Sequence, residues 1–429
     1  MIILKKTKKS TASFAVKRKL TKTQVIISNC LTHNEMNRLL LFTVRTALNI
    51  LNILYFFFKK AAVRDRIAFI SRETDEKSVD FEILENDLRK ACPETELVFL
   101  CRKIPKSLIG RLGYGLHLLR QMRVISTSRA VILDGYCFGV CALKQRDELM
   151  VIQIWHAMGT FKKFGWSIVG KEEGRNAEIA ALLGMHRNYT YYTVSSEECI
   201  TAADEAFGYN KGGPNYDGRQ HAIVEPLPRM RRYSDAQYIA DARKRVLERY
   251  PEWKNETVVV YVPTFRTGVD ISDEILKMKE ALPECRFVVK EHPLMKISCD
   301  GVTKDQDFSS YEIMCAADYI IIDYSAIVFE AVFLNKPLIF YPFDIERYLK
   351  TRGLYFDYRR EMPGTVAKGP EDLAEVIRTA SFDCEKVRLF RKKWINMSTA
   401  GKNQIVELLR NGQRGEQNNE AEEKENRTL

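Results

Sequence analysis

Residues 318–344, DYIIIDYSAIVFEAVFLNKPLIFYPFD, restrict the possible folds of this chain more than any other stretch. The apolar run Tyr319–Ile322 is short and rich in β-branched residues, which is typical of a buried parallel strand. Ser325 stands where a helix N-cap belongs, residues 326–334 predict a helix, and residues 338–341 predict a second strand. Ligands of open parallel sheets bind at the carboxyl ends of strands, so a phosphate site at Ser325 is predicted, with an ordinary βαβ unit as the alternative.

Short apolar runs alternate with helical patterns on either side of a charged helical segment, residues 232–250. This alternation is typical of parallel sheets with helices on both faces. It predicts an α/β protein with two doubly wound, Rossmann-like domains facing a cleft. The predicted segments are a basic tail with an amphipathic helix (1–64), an N-terminal α/β domain (65–230), a C-terminal α/β domain (231–383), a helix packing back across both domains (384–410) and a disordered tail (411–429).

The amino-terminal segment combines positive charge with a long apolar run. The formal net charge is +11, and lysine and arginine are concentrated before Glu35, the first acidic residue. Such charge suits anionic lipid or nucleic acid, with a solvated arm as the alternative. Residues 39–58 have the length of a membrane span, about 20 residues, but Arg45, Asn49 and Asn52 lie along one helical stripe. An interfacial helix is predicted, with a packing helix and a true span as alternatives.

The ten cysteines are scattered, with no CxxC pair and no grouping with histidine. They are expected to be reduced thiols of a cytosolic chain, and no metal site is predicted. There is also no P-loop and no GxGxxG motif placed after a strand.

Polar side chains follow three further predicted strands. His156 ends a strand at residues 151–155 and can act as a general base, because the ordinary histidine pKa is about 6.5; a purely structural histidine is the alternative. Arg266 follows a strand at residues 258–262 and can bind an oxyanion, with a solvent-exposed turn as the alternative. Lys290 and His292 leave a third strand two residues apart, as a predicted phosphate clamp.

Together these motifs resemble those of the CDP-glycerol glycerophosphotransferase family, the polymerases and primases of teichoic acid synthesis. The matching pieces cover residues 66–358 in the family's order: WHAMGTFKKFG, Pro228-Arg229, YVPTFR, KEHP, DYSAIVFEAVFLNKPLIFY and RGLYFDY. The resemblance implies a GT-B fold with the donor held mainly by the C-terminal domain. It implies transfer of glycerol phosphate from CDP-glycerol to the hydroxyl of a lipid-linked (poly)glycerol phosphate, with release of CMP and without a cofactor. The resemblance implies that the protein works at the cytoplasmic face of a bacterial cell membrane, on its anionic surface. Nucleic acid is not an expected partner. The oligomeric state is left open.

The resemblance also assigns roles to residues. His156 becomes the candidate general base, and His292 a second essential histidine that stabilises the donor diphosphate. The implied donor contacts are Arg229, Pro263, Thr264, Arg266, Lys290, Glu291, Ser325, Ala326 and Glu330. The implied acceptor-side loop contains Trp155, Gly159, Thr160, Lys162 and Lys163.

The chain departs from the family pattern at three places. Ala157 replaces a frequent glycine, Ala326 a frequent serine, and Glu330 a frequent aspartate. These departures bear on the alcohol of the donor, so CDP-ribitol is an alternative to CDP-glycerol. A sugar-nucleotide glycosyltransferase of capsule synthesis is the alternative within the fold. A non-catalytic lipid- or nucleic-acid-binding protein is the alternative of another class, but it leaves the strand-end motifs unexplained.

Overall fold

The computed structural model describes residues 33–105, 107–209, 218–266, 268–291, 299, 301–379 and 382–412. The predicted basic tail before residue 33, the predicted disordered tail after residue 412 and His292 lie outside these residues. Residues 411–412, assigned to the tail from sequence, continue a helix instead. The boundary between two compact units falls after Asn49, and both sheets described below belong to the second unit.

Helix α1 (His33–Phe58) contains the predicted membrane-associating segment. By length and composition, residues Arg38–Phe58 could cross a membrane: the most apolar 18 residues of this segment have a mean hydropathy of 1.6, and 11% of them are buried. The last turns pack within the second unit, where Tyr55 is 1% exposed and donates to Gln145 Oε1 at 2.6 Å. The end of α1 is thus a packing helix, while the interfacial role of its earlier part stays a prediction.

The first sheet is entirely parallel, with the strand order β2–β1–β3–β4–β5–β6. Strand β3 is buried along its whole length because helices cover both faces of the sheet. The strands are β1 (Arg64–Ser71), β2 (Glu96–Cys101), β3 (Ser128–Leu133), β4 (Met150–Gln153), β5 (Tyr191–Val194) and β6 (Ala222–Val224).

The second sheet is also parallel, with the order β12–β11–β10–β7–β8–β9. Its central strands β7 and β10 pair in register from Val259 opposite Tyr319 to Val262 opposite Ile322. The strands are β7 (Thr257–Val262), β8 (Cys285–Val289), β9 (Thr303–Lys304), β10 (Tyr319–Ile322), β11 (Leu338–Phe340) and β12 (Thr365–Val366). The predicted α/β class with two doubly wound sheets is therefore confirmed.

Helices connect the strands and cover the sheets. They are α2 (Val79–Ala91), α3 (Leu108–Thr127), α4 (Phe138–Cys141), α5 (Ala177–Leu182), α6 (Ile200–Phe207), α7 (Met230–Tyr233), α8 (Ala236–Arg249), α9 (Ser272–Ala281), α10 (Ser310–Ala316), α11 (Val328–Ala331), α12 (Ile345–Thr351), α13 (Tyr358–Glu361), α14 (Pro370–Arg378), α15 (Cys384–Trp394) and α16 (404–412). Short 3-10 helices occur at Gly165–Ile168, Glu197–Cys199, Gly218–His221 and Pro251–Asn255.

Two predicted helices are interrupted. Residues 232–250 divide into α7 and α8 because Asp235 caps a new helix, accepting from the Tyr238 amide at 2.7 Å. The predicted helix at 384–410 divides into α15 and α16 because its backbone turns to bind the first sheet: the Asn396 amide donates to the Ser195 carbonyl oxygen at 2.7 Å. On α15, the Phe390 ring lies 5.2 Å from the ring of Phe329, which follows the second sheet's β10.

Candidate active site

The site begins where β4 ends. Trp155 takes a positive φ of 61°, a conformation that bulky side chains rarely adopt. Its amide donates to Gln153 Oε1 at 2.9 Å, and its indole stacks on Phe164 with 4.5 Å between ring centroids. Strained backbone of this kind clusters at functional sites. Here it leaves the next residue, His156, exposed to solvent.

The His156 imidazole is held in one tautomer. Its Nδ1 lies 3.0 Å from the carbonyl oxygen of Asp134, and because a carbonyl only accepts, Nδ1 carries the proton. Nε2 is therefore the basic nitrogen. Although solvent reaches the side chain, the protein around it lowers the pKa of His156 by removing hydration; Glu73 opposes this effect and Arg229 adds to it. A neutral imidazole with a basic Nε2 can take a proton from a hydroxyl.

Arg229 joins His156 to the second domain. Its guanidinium donates to the His156 carbonyl oxygen at 2.8 Å, to Asp80 Oδ2 at 2.8 Å and to Glu330 Oε1 at 2.9 Å. Burial opposes the charge, but the two carboxylates raise the pKa of Arg229 above its ordinary value. Burial also raises the pKa of Glu330, against the effect of Arg229. Arg229 and Glu330 thus form an ion pair across the domains, and their donor contacts stay predictions.

The loop after His156 crosses to the C-terminal domain. The Tyr355 amide donates to the Phe161 carbonyl oxygen at 3.1 Å, and Lys163 Nζ lies 5.3 Å from the centroid of the Tyr355 ring. Lys162 Nζ lies 3.4 Å from Thr264 Oγ1, which brings an acceptor-side residue to the donor side. Burial is the main cause that lowers the pKa of Lys162 to about 7.

Gly159 lies directly against the C-terminal domain. Its φ is +78°, and an added Cβ would lie 1.8 Å from the ring of Phe329, a C-terminal-domain residue. Its amide donates to Ser195 Oγ at 3.2 Å, and Thr160, which follows, also has a positive φ of 41°. Only glycine fits this backbone at this distance.

Gly159→Ala is expected to destabilise the protein by about 3 kcal/mol or more, because a left-handed alanine and a steric clash act together. The matched control is Gly170→Ala: Gly170 has a φ of +81° but nothing within 4 Å of an added Cβ. The control should therefore cost only about 1–2 kcal/mol. Urea unfolding of both variants measures the difference, and equal losses would contradict the assigned domain contact.

Asp323, at the carboxyl end of β10, organises the donor-side strand ends. This buried carboxylate accepts from Thr264 Oγ1 at 2.7 Å, from Arg266 at 2.8 Å and from the Tyr261 hydroxyl at 3.1 Å. Arg266 also donates twice to Asp344, at 2.9 and 3.0 Å. Burial opposes ionisation, yet Arg266 holds the pKa of Asp323 below its ordinary value. Thr264 and Arg266 thus bind carboxylates here, and their donor contacts stay predictions, as does that of the buried Pro263 before them.

The helix after Ser325 is shorter than predicted. Residues 326–334 contain only the single α-helical turn of α11. The Phe329 amide bonds to the Ala326 carbonyl oxygen and the Leu334 amide to that of Ala331, so the ends have 3-10 geometry. Ser325 and Ala326 are half-buried, and Ser325 Oγ accepts from an amide two residues ahead at 3.4 Å. Their phosphate contacts stay predictions.

The predicted phosphate clamp on β8 is described only in part. Lys290 Nζ lies 2.7 Å from Asp305 Oδ2 and also donates to the Phe308 carbonyl oxygen. Glu291 Oε1 lies 3.3 Å from Lys304 Nζ. The structure therefore does not bring Lys290 to Arg229 or Thr264 through any described contact, and His292 lies outside the described residues.

Sequence reasoning missed the aspartates that hold these side chains: Asp80 and Asp323 through their carboxylates, and Asp134 through its carbonyl oxygen. Asp134 and Asp323 follow β3 and β10 directly, so the strand-end rule that selected His156 could have found them. Burial raises the pKa of Asp134 to about 7, with the Ser71 hydroxyl opposing. Asp80, in the first turn of α2, has no such sequence signal. Across the described residues, no group of three or more His, Cys, Asp or Glu side chains is placed to hold a metal ion.

Comparison with known proteins decides the family. Residues 53–409 match the profile of the CDP-Glycerol:Poly(glycerophosphate) glycerophosphotransferases. The chain belongs to this family. The predicted family and enzyme class are thereby confirmed.

Similar proteins place this family member among teichoic acid enzymes. It is 30% identical to the teichoic acid ribitol-phosphate primase of Bacillus spizizenii, over 77% of this chain and 87% of that protein. It is 28% identical to the teichoic acid glycerol-phosphate primase of Bacillus subtilis, over 67% of this chain and 75% of that protein. The wall teichoic acid polymerase TagF shares the fold, with a TM-score of 0.62 and 16% identity over 89% of this chain and 98% of the TagF chain. The predicted GT-B fold is confirmed.

Proposed function

We propose that this protein transfers glycerol phosphate from CDP-glycerol to the hydroxyl of a lipid-linked (poly)glycerol phosphate in teichoic acid or related cell-surface polymer synthesis. The observation that carries the proposal is His156, whose Nε2 is basic and whose carbonyl oxygen binds Arg229, the residue that bridges the two domains of this family member. Family membership supports the donor class, and the primase relatives support a teichoic acid acceptor.

The reaction is a single displacement at phosphorus. The acceptor oxygen bonds to the β-phosphorus of CDP-glycerol, its proton passes to His156 Nε2, and the bond from phosphorus to the CMP oxygen breaks. CMP leaves with that electron pair. Cationic side chains near the reacting groups stabilise the negative charge of the diphosphate. Lys162 is suited to this task because a diphosphate beside it favours the protonated amine, and its pKa is about 7 without one.

CDP-ribitol is the second candidate donor, because a ribitol-phosphate primase is among the similar proteins. Offering both donors to the purified protein, with a lipid-linked acceptor, tests the choice through CMP release. CDP-glycerol is expected to be used at least about tenfold more efficiently, since a polar pocket discriminates strongly between alcohols that differ in hydroxyl number. A preference for CDP-ribitol would overturn the donor assignment, and release of UDP or GDP from sugar nucleotides would overturn the reaction.

We also propose that the protein works peripherally at the cytoplasmic face of the membrane, through the apolar segment of α1. Deleting residues 1–49 should remove most sedimentation with anionic vesicles, because exposed apolar side chains such as Phe42 are lost. CMP release with a soluble acceptor should persist, because Tyr55 and its contact to Gln145 remain. Unchanged vesicle binding would contradict this placement.

A further inference from the structure

An apolar cavity of about 220 Å³ lies beside the acceptor-side strand ends. It is bounded by the ends of β1 and β3, by α3 and by the start of α4. Its apolar lining includes Ile70, Ile104, Tyr114, Leu118, Tyr136 and Phe138. Since apolar cavities of roughly 150 Å³ already bind benzene, this cavity can hold several carbons of a chain. We refer to it as the α3 cavity.

The α3 cavity reaches the neighbourhood of His156. Gly135, in its lining, directly follows Asp134, whose carbonyl oxygen binds His156 Nδ1. Arg72 is the sole charged side chain among the described lining residues, and its guanidinium lies 5.2 Å from the centroid of the Tyr136 ring. Its charge acts on His156. The cavity thus combines apolar walls with an arginine near the candidate base, and this arginine lies 3.4 Å from the partly exposed Glu73 carboxylate.

The other end of the α3 cavity opens at an apolar surface. Ile104 lines the cavity and is 50% exposed. Next to it, Ile109, Leu112 and Leu116 of α3 are 84%, 72% and 71% exposed, while Tyr114 and Leu118 of the same helix line the cavity. Residues 102–133 contain lysine and arginine but no aspartate or glutamate. An apolar, basic surface of this kind suits an anionic lipid layer.

We propose that the α3 cavity binds an apolar chain of the lipid-linked acceptor, which enters from the α3 surface and places its anionic headgroup at Arg72 beside His156. This inference depends on the proposed function in one respect: it assumes that the acceptor carries a lipid. Apolar burial binds the chain, and the guanidinium binds the phosphate. The cavity thereby directs a membrane-borne acceptor toward the candidate base.

Decyl phosphate, used below its micellar concentration, is a suitable probe because it combines a single chain with a phosphate. Calorimetric titration of the full-length protein should show binding at least about tenfold tighter than that of inorganic phosphate. Leu118→Trp should weaken binding of decyl phosphate at least about tenfold by filling the cavity. The matched control is Leu389→Trp, which makes the same change at an exposed position of α15 that lines no part of the cavity, and it should leave affinity within about twofold.

Ile104→Asp is a second variant, at a half-exposed position where folding tolerates a polar side chain. It should weaken binding by placing a carboxylate where the chain enters. Wild-type affinity in a folded Leu118→Trp or Ile104→Asp variant, or equal affinity for inorganic phosphate, would overturn the proposal. The titration contains no CDP-alcohol and measures no turnover, so failure of CMP release would count against the proposed function alone.

Discussion

His156→Ala is expected to lower CMP release by roughly 10²–10⁴-fold, the usual contribution of a general base. The fold should persist, because His156 is an exposed residue and the described hydrogen bond of its imidazole is a single one, from Nδ1 to the Asp134 carbonyl oxygen. Single-turnover assays with saturating CDP-glycerol measure the chemical step directly. Circular dichroism and urea unfolding report on the fold of the same sample.

The matched control is His221→Ala. His221 Nδ1 also lies against a carbonyl oxygen, that of Thr190 at 2.9 Å, but the residue precedes β6 at the opposite edge of the sheet. This variant should retain turnover within about twofold, since substitutions away from a site change little. Near-wild-type turnover of His156→Ala would remove His156 from the proposed mechanism.

The pH profile of kcat/KM gives an independent readout of His156. The base acts when neutral, so activity falls as the pH drops through the pKa of the free enzyme's imidazole. Because the surrounding protein removes hydration and so lowers that pKa, the acid limb should lie below the ordinary histidine value of about 6.5. An acid limb clearly above that value would contradict the assigned environment.

Arg266→Ala is expected to destabilise the protein by about 3–5 kcal/mol, the usual effect of leaving a buried charge without its partner. Its side chain is 3% exposed and pairs with Asp323, which is fully buried. Since protein domains are stable by only about 5–15 kcal/mol, the loss should lower the urea midpoint strongly. Asp323 would retain hydrogen bonds from Thr264 and Tyr261, which are not sufficient to balance its charge.

The control is Arg286→Ala on the same sheet. Arg286 donates to both oxygens of Glu256, at 2.7 and 2.6 Å, but the two side chains are 34% and 33% exposed. Exposed pairs of this kind contribute about 0–1 kcal/mol. If Arg266→Ala were as stable as this control and lost only CDP-glycerol binding, Arg266 would be a donor ligand as the family resemblance implies, and its structural role would be wrong.

The sequence was sufficient to predict the architecture. The predicted strands at 258–262, 319–322 and 338–341 coincide with β7, β10 and β11 to within one residue at either end. Apolar periodicity and β-branched residues carry this information locally, because each element must bury one face or two. The strand-end rule likewise selected His156, since the carboxyl edge of a parallel sheet follows from strand order alone.

The partners of the polar side chains were beyond sequence reasoning. Thr264, Arg266 and Lys290 bind carboxylates in the structure, contacts that the sequence did not indicate, while their predicted donor contacts stay predictions. The choice between a carboxylate and a phosphate depends on which strand ends pack together.

The stretch 318–344 shows the same difference between the elements that its sequence predicts and the side-chain partners that depend on tertiary structure. Its sequence alone determined a buried strand, a polar turn and a second strand, because these depend on neighbouring residues. Only the tertiary structure decided that Asp323 is the hub of buried hydrogen bonds and that Glu330 pairs with Arg229, 101 residues away in the chain. The physical reason is that a buried charge requires a partner, and packing of the two domains determines which groups are within reach.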